Sequence, residues 1–295
     1  MKISVSSYSF HQYIRQGKLT QLDTIDEAKK IGLEAIEFTE LNPKEGYTLD
    51  DQKEYALKLK KRADELGMDI NAYTIGASLY CKGENAEQEI NRLKGQLDVA
   101  KILGAKVLRH DSTFTFGNDK DGRSYKLMLP TIAENTRKIT EYGQSLGIKT
   151  CTENHGYIFQ DSYRMEELFN AVNHENFGLL VDMGNFVCAD DDNALAVSRL
   201  APYAVHVHCK DFFIRSGKDA HPGAGYGMTR GGNFFKGSII GQGCVPVKQC
   251  LRILKRAGYD GYVSIEYEGA EDCIQGITTG FNNLKRYISE IESEC

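Results

Sequence analysis

Two hydrophobic patterns alternate along this chain of 295 residues. Short runs rich in β-branched residues, which are typical of buried strands, are followed by longer segments with apolar residues three or four positions apart, which predict helices. Several helical segments end at a glycine just before the next strand, as at Gly32, Gly104 and Gly147. The pattern therefore predicts a regular alternation of strand and helix.

Eight strands are predicted, at residues 2–9, 34–38, 68–73, 106–110, 148–153, 177–182, 204–211 and 262–267. The predicted helices are 20–31, 49–66, 86–103, 125–146, 163–172, 193–200, 247–257 and 276–291. Because strands joined by helices must run parallel, this order favours an α/β fold, a single (β/α)8 TIM barrel.

No break in composition divides the chain, so we predict one barrel domain over residues 1–295. Residues 6–11 do not resemble the glycine-rich phosphate turn that a doubly wound sheet carries after its first strand. Residues 212–245, between the seventh strand and its helix, are rich in glycine and aromatic residues and lack helical periodicity. We predict a long loop there, of the kind that is usually functional or mobile.

Composition narrows the possible partners. The chain is 41% apolar and 26% charged, as in ordinary globular proteins, and its net charge of -5 comes without a basic stripe. A nucleic-acid partner is therefore not expected. No apolar run approaches the roughly 20 residues that span a bilayer, and residues 1–6 do not resemble a leader peptide. With eight cysteines and no CxxC pair, we expect a cytoplasmic protein with reduced thiols and no membrane partner.

Candidate chemistry collects at the strand ends, where TIM barrels carry their active sites. Glu153, Asp182, His208 and Glu266 come near the ends of strands five to eight, at equivalent heights. Three carboxylates in one cleft repel one another unless a cation binds between them. Oxygen donors with one imidazole suit Mn²⁺ or Mg²⁺, and Co²⁺ or Zn²⁺ is also possible. The alternative is that these are unrelated strand-end groups that hydrogen-bond to loops.

Two histidines of the seventh strand point the same way, because residues two apart in a strand share a face. His208 is level with the carboxylates, and His206 lies one step deeper. We therefore predict that His206 packs beneath the site or supports it.

Further polar residues at the strand ends are candidate substrate contacts. His155 lies one step beyond the fifth-strand glutamate, and Lys210 lies two residues beyond the seventh-strand histidine. The alternatives are a plain loop contact for His155 and a salt bridge with Asp211 or Glu268 for Lys210. We also predict that His110, at the end of the fourth strand, closes the opposite wall of the pocket.

The motifs at residues 152–156, 181–186, 206–211 and 258–268 together resemble those of the xylose-isomerase-like barrel family. This family includes sugar phosphate isomerases and epimerases, ketose 3-epimerases, inosose dehydratases and an apurinic-site endonuclease branch. The resemblance covers essentially the whole chain and is specific for the superfamily rather than for a substrate. It implies that Glu153, Asp182, His208 and Glu266 bind the metal. In the epimerase branch, the two glutamates also form the acid/base pair.

One position departs from the epimerase pattern. Ketose epimerases commonly carry a histidine three residues after the strand-six aspartate, whereas this chain has Asn185, which we take as a candidate substrate contact. The endonuclease branch needs further histidines for a three-metal cluster. This acidic chain has only seven histidines in all, so we do not expect it to belong to that branch.

The resulting hypothesis is a divalent-metal-dependent isomerase or epimerase that acts on a ketose or related polyhydroxy ketone through an enediolate. One alternative is a lyase on the same scaffold, such as a keto-inositol (inosose) dehydratase. Another is a barrel that binds metal or sugar without turnover. The expected partner is a small sugar or polyol-derived molecule. The family often forms dimers or tetramers, so the resemblance is also compatible with a homo-oligomer.

Overall fold

The computed structural model describes residues 1–114 and 124–294. Within these residues, eight parallel strands close into a barrel surrounded by helices, so the predicted (β/α)8 TIM barrel is confirmed. The barrel strands are β1 (Lys2–Ser6), β2 (Ala35–Thr39), β3 (Asp69–Ile75), β4 (Val107–His110), β5 (Lys149–Glu153), β6 (Phe177–Asp182), β7 (Ala204–Cys209) and β11 (Tyr262–Ile265).

The helices follow the predicted segments closely, with one short helix added after β1. They are α1 (His11–Arg15), α2 (Asp23–Ile31), α3 (Leu49–Glu65), α4 (Gly83–Leu103), α5 (Tyr125–Leu146), α6 (Ser162–Val172), α7 (Asn193–Leu200), α8 (Val247–Arg256) and α9 (Cys273–Ser293). Gly104 and Gly147 end α4 and α5 with φ of +78° and +72°, a conformation that glycine adopts without steric cost. Among the described residues, no helix combines the length and the apolar character that crossing a membrane requires.

Strand register brings the ends of β6, β7 and β11 together. Asp182 of β6 pairs directly with His208 of β7, and Ser264 of β11 pairs with His208 from the other side. Just beyond β11, the backbone N–H of Glu266 donates to the carbonyl of Cys209 at 3.0 Å. Polar side chains from these three neighbouring strands therefore stand at one height.

Side chains alternate along each strand between the barrel interior and the layer under the helices. In β7, Val207 is fully buried in the hydrophobic core, while the histidines on either side of it face the interior polar groups. Val181 of β6 is buried in the same core. Burying an aliphatic side chain of this kind stabilises a fold by roughly 1.5–3 kcal/mol. The apolar layer thus holds the strands, and their inner faces are left for polar groups.

Residues 212–245, which were predicted as a long loop between the seventh barrel strand and its helix, contain short strands. Three antiparallel strands, β8 (Asp211–Arg215), β9 (Gly227–Met228) and β10 (Phe234–Ser238), form a small sheet in the order β8-β10-β9. Phe212 and Phe234 are buried, and the rings of Phe212 and Phe235 lie 5.2 Å apart, edge to face. The aromatic pairs at each end of the segment carried the strand signal, which the many glycines between them obscured.

Asp211 anchors this sheet to the barrel. Its Oδ1 accepts the backbone N–H groups of Phe212 at 2.8 Å and Val245 at 3.0 Å. Its Oδ2 accepts those of Gly241 at 2.9 Å and Gly243 at 2.8 Å. The carboxylate therefore ties the start of the segment to its return toward α8.

Candidate metal centre

Four polar side chains converge at the carboxyl end of the barrel. Glu153 ends β5, Asp182 ends β6, His208 lies in β7 and Glu266 follows β11, and one donor atom from each lies within 4.8 Å of the others. Nδ1 of His208 lies 3.6 Å from Glu153, 3.9 Å from Asp182 and 3.5 Å from Glu266. The structure thus brings together the four residues that were predicted as metal ligands.

Hydrogen bonds orient the Asp182 carboxylate toward the other three donors. Its Oδ1 accepts the backbone N–H groups of Gly184 at 2.8 Å and Asn185 at 3.0 Å. The side chain of Asn154 bonds the backbone N–H and carbonyl of Asp182 at 2.8 and 2.9 Å. These contacts fix the end of β6 and leave Oδ2 facing the cluster. Asn154 was not among the predicted site residues.

Glu153 is held by two side chains, one of them missed by the sequence reasoning. Arg109 of β4 lies 2.5 Å from Oε2 of Glu153, and the Asn185 amide donates to Oε1 at 2.9 Å. Strand register contained the signal for Arg109, because Arg109 pairs with Cys151, which shares a face with Glu153. Asn185 is 3% exposed and lies against the carboxylate rather than on the pocket surface.

His110, which was predicted as a pocket wall, lies elsewhere. Its Nδ1 donates to the backbone carbonyl of Asp111 at 2.9 Å, and its ring stacks on Phe177 at 6.4 Å. Because neighbouring residues of a strand face opposite ways, Arg109 takes the inward position and His110 lies in the apolar layer. Burial there lowers the pKa of His110 to about 4. The structure therefore places Arg109, not His110, at the pocket.

Lys210 supplies positive charge within the carboxylates. Its ammonium lies 3.1 Å from Asp182 Oδ2, forms an ion pair with Glu266, and lies 3.1 Å from Glu268. Burial opposes the charged form, but these three carboxylates raise the pKa of Lys210 well above its usual value. Of its two predicted salt bridges, the one with Glu268 is present, whereas Asp211 is engaged by backbone N–H groups.

The carboxylates of the cluster differ in their affinity for protons. Burial, opposed by Lys210 and reinforced by Glu153 and Glu266, raises the pKa of Asp182 to about 7. Burial acts in the same direction on Glu266, but Lys210 and His208 outweigh it and lower the pKa of Glu266 to about 2. Glu153 is also buried, yet Arg109 and His208 hold its pKa well below the usual range. The two glutamates are therefore ionised near neutral pH, while the aspartate is balanced between its two forms.

The donor set fits a divalent cation. Nδ1 of His208 is buried and has no hydrogen-bond partner among the described residues. Oδ2 of Asp182 accepts no hydrogen bond from those residues either, although the Lys210 ammonium forms an ion pair with it. Buried ligand atoms that lack a hydrogen bond and face a shared centre are unfavourable unless a cation binds them. Carboxylate oxygens with one imidazole nitrogen suit Mn²⁺, Mg²⁺, Co²⁺ or Zn²⁺.

A second cluster lies on the other side of the His208 ring and consists of Glu37, His206 and His208. Nε2 of His206 hydrogen-bonds Oε2 of Glu37 at 2.5 Å. Nε2 of His208 lies 2.7 Å from Oε1 of Glu37, although this close approach is poorly aligned for a hydrogen bond. Burial opposes ionisation of Glu37, but His208 and His206 lower its pKa. The prediction placed His206 beneath the site, but it missed Glu37, a carboxylate within the mostly apolar strand β2.

A pocket of about 250 Å³ opens above the cluster of Glu153, Asp182, His208 and Glu266. It is bordered by Tyr8, Thr39, Glu40, Thr74, Ile75, Gly76, Arg109, Glu153, His155, His208, Lys210, Glu266 and Glu268. Two predicted substrate contacts, His155 and Lys210, are among them. The His155 side chain is 40% exposed, and its Nδ1 contacts Asp111 Oδ1 at 2.9 Å. Burial opposes the charged imidazole, but this hydrogen bond and the nearby Glu153 raise the pKa of His155.

Fold and site together define a class of protein: a TIM barrel with a carboxylate-rich donor cluster at the carboxyl ends of its strands. The sequence model of the xylose isomerase-like TIM barrel family matches residues 25–291. The chain therefore belongs to that family, as its motifs had indicated.

Two relatives show how far the sequence similarity extends. The uncharacterized protein YihM of Escherichia coli (strain K12) is 23% identical over 261 residues, which cover 88% of this chain and 70% of that protein. The rhizopine catabolism protein MocC of Rhizobium meliloti is 24% identical over 248 residues, which cover 77% of this chain and 72% of that protein.

Solved structures with the same fold belong to proteins with different activities. The probable 3-DHS dehydratase AsbF of Bacillus anthracis has a TM-score of 0.74 at 17% identity, covering 97% of this chain and 99% of its own. L-ribulose 3-epimerase has a TM-score of 0.74 at 15% identity, covering 100% and 97%. The IOLI protein with a bound zinc atom has a TM-score of 0.74 at 19% identity, covering 99% of each chain. At these identities the likeness establishes the fold, and that fold hosts both epimerase and dehydratase.

Proposed function

We propose that this protein is a divalent-metal-dependent isomerase or epimerase that acts on a ketose or related polyhydroxy ketone through an enediolate. The observation that carries the proposal is the convergence of Glu153, Asp182, His208 and Glu266 within 4.8 Å, beneath a pocket. Glu153 and Glu266 approach His208 Nδ1 from different strands, β5 and β11, which are separated in the barrel by β6 and β7.

Those four side chains would hold the cation. When bound, a divalent metal supplies Lewis acidity that stabilises the negative charge of an enediolate. Glu153 and Glu266 then act as the acid/base pair, one removing the proton next to the substrate carbonyl and the other returning it. Return to the same carbon on the opposite face gives epimerisation, and return to the neighbouring carbon gives isomerisation.

The surrounding residues position this pair. Arg109 and Asn185 hold the two oxygens of Glu153. Arg109 and His208 lower the pKa of Glu153, which keeps the carboxylate ionised and therefore able to accept a proton. Lys210 forms an ion pair with Glu266 and borders the pocket, where a substrate oxygen could take up part of its hydrogen bonding. His155 borders the rim, where it can donate to a substrate hydroxyl.

A lyase is the second candidate, because one residue offers acid chemistry at the rim. Dehydration of a keto-inositol needs the same proton removal, followed by departure of a β-hydroxyl that must be protonated. The raised pKa of His155 increases the fraction of its imidazole that can supply that proton near neutral pH. Product analysis separates the two functions, since only the lyase releases water.

The test is solvent-deuterium incorporation at the carbon next to the carbonyl, followed by NMR over a panel of ketoses and keto-inositols. Purified protein is loaded with Mn²⁺, Co²⁺, Mg²⁺ or Zn²⁺ in turn. We expect incorporation with wild type, and with Glu153→Gln a fall by roughly 10²–10⁴-fold, the usual contribution of general base catalysis. The exposed carboxylate of Glu87 on α4 offers a matched control, Glu87→Gln, which should retain full exchange.

Two results would count against the proposal. A protein that binds these sugars but incorporates no deuterium with any metal is a binding barrel without turnover. A Glu153→Gln variant with undiminished exchange would remove that glutamate from the acid/base pair.

A further inference from the structure

We infer that the pocket selects an uncharged polyhydroxy ketone, such as a free sugar or keto-inositol, over its phosphate ester or a carboxylate-bearing analogue. The inference rests on the proposed function and specifies its substrate class. It follows from the charges on the pocket wall and from how those charges are already paired.

The first cation of the wall, Arg109, has both terminal nitrogens bonded to protein groups, and its Nε is buried. Its guanidinium bonds Asp111 at 2.7 Å, Glu153 at 2.5 Å and the carbonyl of Ile75 at 3.3 Å. The side chain is 10% exposed. A phosphate would have to displace a buried carboxylate to reach it, which leaves that carboxylate unpaired at high cost.

The second cation, Lys210, is likewise paired with carboxylates of the protein. Its ammonium has three N–H donors and meets three carboxylates, those of Asp182, Glu266 and Glu268. The Lys210 side chain is 4% exposed. An anionic group arriving from the pocket mouth would therefore compete with these carboxylates for the ammonium.

Acidic groups dominate the rest of the wall. Among the described residues that border the pocket, four are carboxylates and two are lysine or arginine, so the formal charge of these six is -2. A divalent cation bound by the cluster would cancel the formal charge of these six. Apart from His208 of that cluster, His155 is the remaining group of the described wall that gains positive charge, and its Nδ1 is already engaged by Asp111 at 2.9 Å. Residues 115–123, outside the described part of the chain, carry two aspartates and two basic residues, whose formal charges cancel.

The rim carboxylates suit hydroxyl groups. Glu40 and Glu268 are 35% and 31% exposed, and the nearest arginine nitrogen to Glu40 is 3.7 Å away on Arg92. Their oxygens can accept hydrogen bonds from sugar hydroxyls, and the hydroxyls of Thr39 and Thr74 border the same space. A phosphate would meet like charge at these positions, a standard means of rejecting a wrong ligand.

The experiment compares matched pairs on metal-loaded protein: a ketohexose against its 6-phosphate, and a keto-inositol against its phosphate. We expect kcat/KM for deuterium exchange to favour the neutral member by about 100-fold or more, because the phosphate meets like charge on the rim. Calorimetry with the same compounds and with inorganic phosphate reads binding without turnover. It should show binding of the neutral members only.

Variants test the physical cause. Glu40→Gln and Glu268→Gln each remove one rim charge, and Glu268→Gln also frees one donor of Lys210. Each should reduce the ratio of kcat/KM for the neutral substrate to kcat/KM for its phosphate by about tenfold. Glu87→Gln on the outer helix α4 should leave this ratio unchanged.

The outcomes separate this inference from the proposed function. If the phosphates exchange as fast as the neutral compounds, or bind more tightly, the selectivity is overturned and the proposed function stands. If nothing exchanges, the proposed function fails, and binding of neutral compounds alone still upholds the selectivity. An unchanged preference in both rim variants would also overturn the electrostatic account.

Discussion

The imidazole of His208 belongs to two clusters that look alike in composition and differ in what they can do. On its Nδ1 side stand three carboxylates below an open pocket, and on its Nε2 side stand Glu37 and His206, buried in the barrel. Each cluster has donors close enough to hold a metal ion. Charge and access distinguish them, because several buried like charges need a cation, whereas the charge of a single buried carboxylate can be balanced by a neighbouring imidazolium.

The difference teaches that proximity of donors does not by itself define a metal site. Glu37 is fully buried and contacts both histidines, so a proton shared within that group balances its charge. The carboxylates above retain excess charge even with Lys210 among them. We therefore propose the upper cluster as the metal site, with Glu37 and His206 as the support that orients the His208 ring, as outer carboxylates do for metal-bound histidines.

The largest expected effect comes from the upper cluster. Asp182→Asn keeps the acceptor oxygen for the N–H groups of Gly184 and Asn185 but removes the charge that faces the centre. We expect the affinity for Mn²⁺ or Co²⁺ to fall beyond the roughly 10–100-fold typical of outer-sphere changes. Isothermal calorimetry measures the affinity, and a retained circular dichroism spectrum shows that the barrel is intact. Unchanged metal binding in a folded variant would exclude Asp182 as a ligand.

Glu37→Gln tests the lower cluster and should have a smaller effect. Without the charge of Glu37, the His208 ring loses the group that orients it and makes it more basic, so the metal affinity should fall by roughly 10–100-fold without being abolished. The exposed Glu34 near the start of β2 gives the control, Glu34→Gln, which should bind like wild type. A complete loss of metal in Glu37→Gln, with Asp182→Asn unaffected, would reverse the assignment of the two clusters.

The sequence was sufficient to place the upper cluster but not the lower one. The order of strands and helices puts the ends of parallel strands at one rim, so strand-end residues such as Glu153 and Asp182 meet whatever the details of packing. Glu37 and His206 are 169 positions apart and contact each other across the interior, which depends on how the barrel closes. The choice between Arg109 and His110 likewise required the register of β4 against β5, which a local pattern of two does not supply.

The protonation of Asp182 distinguishes the two clusters further, and its expected effect on metal affinity is the smallest of the three. Burial raises the pKa of Asp182 to about 7, so below that pH the metal-free carboxyl holds a proton that an incoming cation must displace. Metal affinity should therefore increase with pH up to about 7, by at most about tenfold per unit through this group, and then level off for it. Calorimetry in buffers of different ionisation enthalpy counts the protons released.

Because this pH dependence arises in the upper cluster, Glu37→Gln should keep it, although the metal affinity of the variant is lower throughout. An affinity that is flat between pH 6 and 8 in both proteins would mean that Asp182 is already ionised, so that Lys210 outweighs the burial of the carboxyl.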